Sequence, residues 1–147
     1  ATESARLAGL RDRFEATLRA RIPAIRVNAA GAPRLPSTSS LAFEGVDAQS
    51  LLARLDLDGV AVSSGSACAA GASEPSHVLA ALEAPAWVQL GTIRFSFGRL
   101  TSEEDVTRLG EMLPKTIASM REPGRLVGTF GSGPRAGRSE GRPCPSA

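Results

Sequence analysis

The amino-acid sequence predicts an α/β (α+β) domain in which a short sheet is covered by helices. Apolar residues recur at spacings of three and four in Leu7, Leu10, Phe14 and Leu18, and again in Val106, Leu109, Leu113, Ile117 and Met120. Between these helical patterns, Thr92 to Phe97 alternates Ile93, Phe95 and Phe97 with Thr92, Arg94 and Ser96, the mark of a half-buried strand. Helical and strand periods alternating along one chain imply layers of helix on sheet.

The first helix carries Arg11, Arg13, Glu15 and Arg19 between its apolar positions and ends near Pro23. It starts almost at the first residue, which raises the expectation of further sequence upstream. Pro33 and Pro36 mark an extended stretch. Ser39 to Phe43 reads as a strand with Leu41 and Phe43 on one face. Asp47 suits the N-cap of a helix bearing Leu51, Leu52 and Leu55, which Gly59 breaks. Val60-Ala61-Val62 reads as a short buried strand. Ser63 to Ser73 holds only small residues and reads as a mobile loop. Pro75 and Ser76 open a helix through Val78, Leu79 and Leu82, which Pro85 stops. Thr101 and Glu104 have capping-box spacing for the last helix, which Pro114 should kink or restart. From Pro123 the chain turns to Gly, Pro, Ser and Arg. Residues 1–122 are therefore expected to form the domain and residues 123–147 a disordered tail.

Composition narrows the function. The 147 residues suit one domain, and 42% apolar content suffices for a modest core. No apolar run reaches the roughly 20 residues that span a bilayer, and no signal peptide is recognisable, so a soluble cytoplasmic protein without a membrane partner is expected. The net charge is +2, but residues 1–120 carry a net of −1 and the excess of Arg lies in the tail. Without a basic stripe interleaved with aromatics, nucleic acid is not an expected partner. Two cysteines and one histidine exclude a disulfide scaffold and argue against a metal site within the chain.

Cys68 lies in the middle of the small-residue run. Its neighbours offer none of the bulky apolar packing that surrounds a structural cysteine, and they favour access, on which thiolate reactivity depends. Spacing alone fits an incidental loop cysteine equally well. Arg94 points away from the apolar face of its strand, where a guanidinium can hold a carboxylate by two parallel hydrogen bonds; an edge-strand arginine facing water fits the same pattern. Arg99 shares that ambiguity. His77 reads as structural or solvent-facing, Trp87 as core filler in a Pro-bounded loop, and Lys115, the only lysine, as a solvated helix charge. Arg135, Arg138, Arg142 and Cys144 read as features of a solubilising tail.

Longer motifs separate these readings. Ser63-Ser64-Gly65-Ser66-Ala67-Cys68, then Gly71, then Glu74-Pro75-Ser76-His77-Val78 resembles the persulfide loop of NifS/IscS-type cysteine desulfurases. Gly91 to Arg99 with Thr101, Glu103 and Glu104 resembles the strand and helix start that follow it, and Arg34-Leu35-Pro36-Ser37-Thr38 resembles the family's R-L-P-x-T opening of the small domain. The resemblance covers roughly residues 3 to 120. It implies the C-terminal small domain of a fold-type I, class V aminotransferase, with pyridoxal phosphate as cofactor and L-cysteine as substrate. On that resemblance Cys68 is the nucleophile that takes sulfur as a persulfide, leaving L-alanine, and Arg94 binds the substrate α-carboxylate. An iron–sulfur scaffold or other sulfur-acceptor protein is the implied partner, and the resemblance implies a homodimer for the complete enzyme. In some family members the loop cysteine also helps ligate a cluster on the scaffold, a role open to Cys68.

The sequence departs from the family at the cofactor. A pyridoxal phosphate enzyme needs a lysine, which in the family follows a histidine in an upstream large domain. Lys115 has no such neighbour. The chain alone is therefore expected neither to hold the cofactor nor to turn over cysteine, as a fragment, a truncated gene product or one half of a split enzyme. The alternatives are a non-catalytic persulfide carrier and the small domain of another class V aminotransferase-like enzyme, such as a lyase acting on selenocysteine.

Overall fold

The computed structural model describes residues 2–64, 77–81 and 83–122. The expected tail, with Cys144, and most of the small-residue run, with Cys68, lie outside the described residues.

Helix α1 (Glu3–Arg21) leads into strand β1 (Ile25–Val27), then strand β2 (Thr38–Phe43) and helix α2 (Ala48–Leu57). Two short helices, α3 (His77–Ala81) and α4 (Ala86–Leu90), precede strand β3 (Thr92–Ser96), and α5 (Glu103–Arg121) closes the described chain. The strands form one antiparallel sheet in the order β1-β2-β3.

The alternation of β3 decides the layering. Ile93, Phe95 and Phe97 are buried with Leu41 and Phe43 against Leu10, Phe14 and Leu18 of α1, Leu51 and Leu55 of α2, and Leu113 and Ile117 of α5. Phe14 meets Phe95 and Phe97 edge to face, with ring centroids 5.0 and 5.6 Å away. Fully burying one such side chain contributes about 1.5–3 kcal/mol. Among the described residues the opposite face is covered only at one end, where Val88 of α4, Leu79 and Ala84 pack with Ala42 and half-buried Trp87. That cover also buries Thr92, against the simple alternation.

Several expectations are corrected. Val60–Val62 forms no strand; only Ser63 bridges to the sheet. Trp87 lies within α4, because Pro85 starts a helix rather than bounding a loop. The cap of α5 is Ser102, in a capping box with Asp105. Thr101 is unavailable because its hydroxyl accepts the Gly98 N–H at 2.8 Å. Glu15, placed by pattern among the polar positions of α1, is buried. Its carboxylate accepts from Arg34 at 2.7 and 3.1 Å and from the Ser39 hydroxyl at 2.7 Å.

Helix α5 runs through Pro114 without interruption. Proline cannot donate to the carbonyl four residues back, and Arg21 Nη1 donates to that Gly110 carbonyl at 3.4 Å instead. Gly110 also sits where α5 meets α1: a Cβ there would lie 3.1 Å from Thr17 Cγ2. Gly110→Val is therefore expected to destabilise the fold by about 1–3 kcal/mol through overpacking. Urea unfolding checks this; a midpoint equal to the wild type would mean that the helices separate there at no cost.

Candidate functional site

Strand β3 carries Arg94 on the less covered face of the sheet, and its side chain is exposed. Its backbone is fixed from outside the sheet. Arg94 N–H donates to the Ser63 carbonyl at 2.6 Å, and Ser63 N–H donates to the Arg94 carbonyl at 3.1 Å. Because these groups of Arg94 face Ser63, its pairing with Ser40 of β2 is the non-hydrogen-bonded kind, which brings the two Cα atoms to about 4.5 Å. Ser64 is also tied down, accepting from Gln49 Nε2 of α2 at 3.1 Å. The chain thus enters the Cys68 segment from a stem fastened to both the sheet and α2.

Around Arg94 the sheet face is polar. Asn28, just past β1, is buried. Its side-chain Nδ2 donates to Ser40 Oγ and to Thr92 Oγ1, each at 3.1 Å. Thr92 Oγ1 in turn donates to the Val88 carbonyl of α4. Sequence reasoning missed Asn28, Ser40 and Thr92. Period-2 alternation in β2 puts Ser40 on the polar face, but no sequence feature reveals that Asn28 reaches across to it. Among the described residues no carboxylate or carbonyl takes up the exposed Arg94 guanidinium.

The remaining candidates lie elsewhere or serve the fold. Arg99 is exposed in the turn after β3, and its carbonyl accepts from Arg6 Nη2 of α1 at 3.1 Å. His77 opens α3, and its side chain is outside the described residues. Arg34 of the R-L-P-x-T motif is a structural partner of Glu15, which holds its guanidinium above the usual range by hydrogen bonding. The displaced carboxylates also belong to fold contacts. Asp105 is held low by the Ser102 backbone N–H and hydroxyl, and Glu103 by Arg13.

Among the described residues the donor set does not fit a resident pyridoxal phosphate. The only lysine, Lys115, is exposed on α5. Two clefts among the described residues are lined by Thr17, Glu103 and Thr107 and by Val60, Leu109 and Met112, and neither of these includes Lys115 or Arg94. No group of three His, Cys, Asp or Glu among the described residues is arranged for a metal. No described helix is long and apolar enough to cross a membrane.

A three-stranded antiparallel sheet backed by long helices matches a recognised class. The Aminotransferase class-V family matches residues 2–109, and the chain belongs to that family, whose members in general depend on pyridoxal phosphate. It is 42% identical over 120 residues to a cysteine desulfurase of Gluconacetobacter diazotrophicus, and 40% identical over 119 residues to the cysteine desulfurase NifS of Azotobacter vinelandii. These alignments cover 82% and 81% of this chain but 30% of each relative, so the chain spans about a third of their length. The fold is similar to part of a NifS-like protein from Rickettsia africae, with a TM-score of 0.67 at 24% identity over 79% of this chain and 29% of the other.

Proposed function

We propose that residues 1–122 act as the small domain of a cysteine desulfurase, in which Arg94 binds the α-carboxylate of L-cysteine and Cys68 receives its sulfur. The observation that carries this reading is the staple between Ser63 and Arg94. It fastens the stem of the Cys68 segment to the backbone of the residue whose guanidinium has no partner among the described residues. Cys68 follows Ser63 by five residues, a reach of at most about 18 Å. In our reading, a thiol within that reach of the arginine that holds the substrate carboxylate meets the positioning that proximity catalysis requires.

In the proposed reaction the Cys68 thiolate forms an S–S bond with the substrate sulfur as the substrate C–S bond breaks. The electron pair leaves on carbon, which takes up a proton. Cys68 becomes a persulfide and the substrate becomes L-alanine, so atoms and electrons balance with no further oxidant. Pyridoxal phosphate supplies the electron sink for this chemistry, and in our reading it is held by residues other than those described here. The persulfide then passes its terminal sulfur to an acceptor thiol, such as one on an iron–sulfur scaffold.

Arg94→Ala in the cofactor-loaded desulfurase containing this domain is the test. Losing a desolvated bidentate charge pair costs about 2–5 kcal/mol, so KM for L-cysteine should rise at least about 30-fold. Arg94→Lys should recover little of that, because an ammonium cannot reproduce the fork. An unchanged KM in Arg94→Ala would return this residue to an ordinary strand arginine facing water.

A further inference from the structure

We propose that Ser40 is a second ligand of the same carboxylate, donating its hydroxyl proton beside the Arg94 guanidinium. The inference rests on the reading of Arg94 given above and adds a specificity element to it.

The argument is a count of protons. Thr92 has one hydroxyl proton, and the Val88 carbonyl it meets can only accept. The proton of Thr92 is therefore committed to Val88. Whatever faces Thr92 Oγ1 from Asn28 must then donate, which fixes the side-chain amide with its NH2 group toward Thr92 and not its oxygen. The same nitrogen lies 3.1 Å from Ser40 Oγ, so its second N–H is directed there and Ser40 acts as acceptor. The proton of Ser40 cannot return to Asn28, and Ser40 donates to no acceptor among the described residues. A relay that begins at a backbone carbonyl of α4 thus ends in a hydroxyl obliged to donate outward.

Ser40 faces Arg94 directly across the β2–β3 ladder, in the close, non-hydrogen-bonded pairing. It is half-buried and Arg94 is exposed, so the two present a donor pair at graded depth. A hydroxyl forced to donate next to a guanidinium repels another donor and attracts an anion with several lone pairs. A carboxylate satisfies both, whereas a carboxamide brings its own N–H groups against them. The ligand class is thus the free α-carboxylate of a small amino acid.

The experiment titrates this chain with L-alanine and with L-alaninamide, following the backbone amide resonances of β2 and β3 by NMR. The wild type is expected to respond to L-alanine and not to the amide. Ser40→Ala should weaken L-alanine binding about tenfold, as befits one hydrogen bond to a charged group. Ser40→Thr, which keeps the hydroxyl, should stay near wild type, and Arg94→Ala should abolish the response. An unchanged affinity in Ser40→Ala, with the response lost in Arg94→Ala, overturns the role of Ser40 alone. Equal losses in Ser40→Ala and Ser40→Thr overturn it too, since the hydroxyl would not be what matters. A full response in Arg94→Ala, or none in the wild type, instead overturns the carboxylate site as a whole.

Discussion

Replacing Cys68 by Ser is expected to lower L-cysteine desulfuration in the cofactor-loaded enzyme containing this domain by at least about 10³-fold, the scale of losing a covalent nucleophile. Serine is close in size but is neither ionised near neutral pH nor able to hold sulfur as a persulfide. The stretch Ser63 to Ser73 has no side chain larger than that of Cys68, so the substitution should leave the unfolding midpoint unchanged. The loss is therefore expected in kcat, while KM, set by Arg94 in our reading, changes little. Full sulfide release by Cys68→Ser would assign the nucleophile to another group.

The second large effect concerns stability. Arg34→Met is expected to destabilise the fold by about 3–5 kcal/mol, because it strands the Glu15 carboxylate in the interior with only the Ser39 hydroxyl as partner. Glu15 is 6% exposed and the Arg34 side chain 18%, so water cannot replace the guanidinium. The double variant Glu15→Gln, Arg34→Met should recover part of the loss, since the glutamine oxygen still accepts from Ser39 and carries no charge. Urea unfolding of both variants checks this. A single variant within about 0.5 kcal/mol of wild type would mean that the ion pair holds nothing together.

The pair also marks the limit of what the sequence reveals. Periodicity recovers α1, α2, β3 and α5, because each buries a repeating apolar stripe, and it places Arg94 on the open face of β3. Asp47 is legible as a cap because a short acidic residue follows a turn glycine, and it does accept the Ser50 N–H at 2.8 Å. The same logic misplaces the cap of α5 by one residue. Thr101–Glu104 and Ser102–Asp105 offer equal spacing, and only the turn that occupies Thr101 decides between them.

What periodicity cannot deliver is contact between segments far apart in the chain. Glu15 looks like a solvated helix charge until Arg34, 19 residues on, is folded over it. Asn28 carries no sequence mark of its contact with Thr92, 64 residues away. Gly91 reads as a motif glycine, but its necessity is tertiary: a Cβ there would lie 2.5 Å from the Phe43 carbonyl oxygen and 2.9 Å from that of Val46. The strand position and exposed facing of Arg94 are thus legible, and the polar side chains around it are not.

The central claim is that sulfur from L-cysteine comes to rest on Cys68. The most direct measurement is mass spectrometry of the cofactor-loaded enzyme containing this domain, quenched with an alkylating agent after exposure to L-cysteine labelled with heavy sulfur. The account predicts one labelled sulfur added to the peptide bearing Cys68, none on the peptide bearing Cys144, and loss of the label when an acceptor thiol is supplied. Label on Cys144, or free labelled sulfide with Cys68 unmodified throughout turnover, would contradict it.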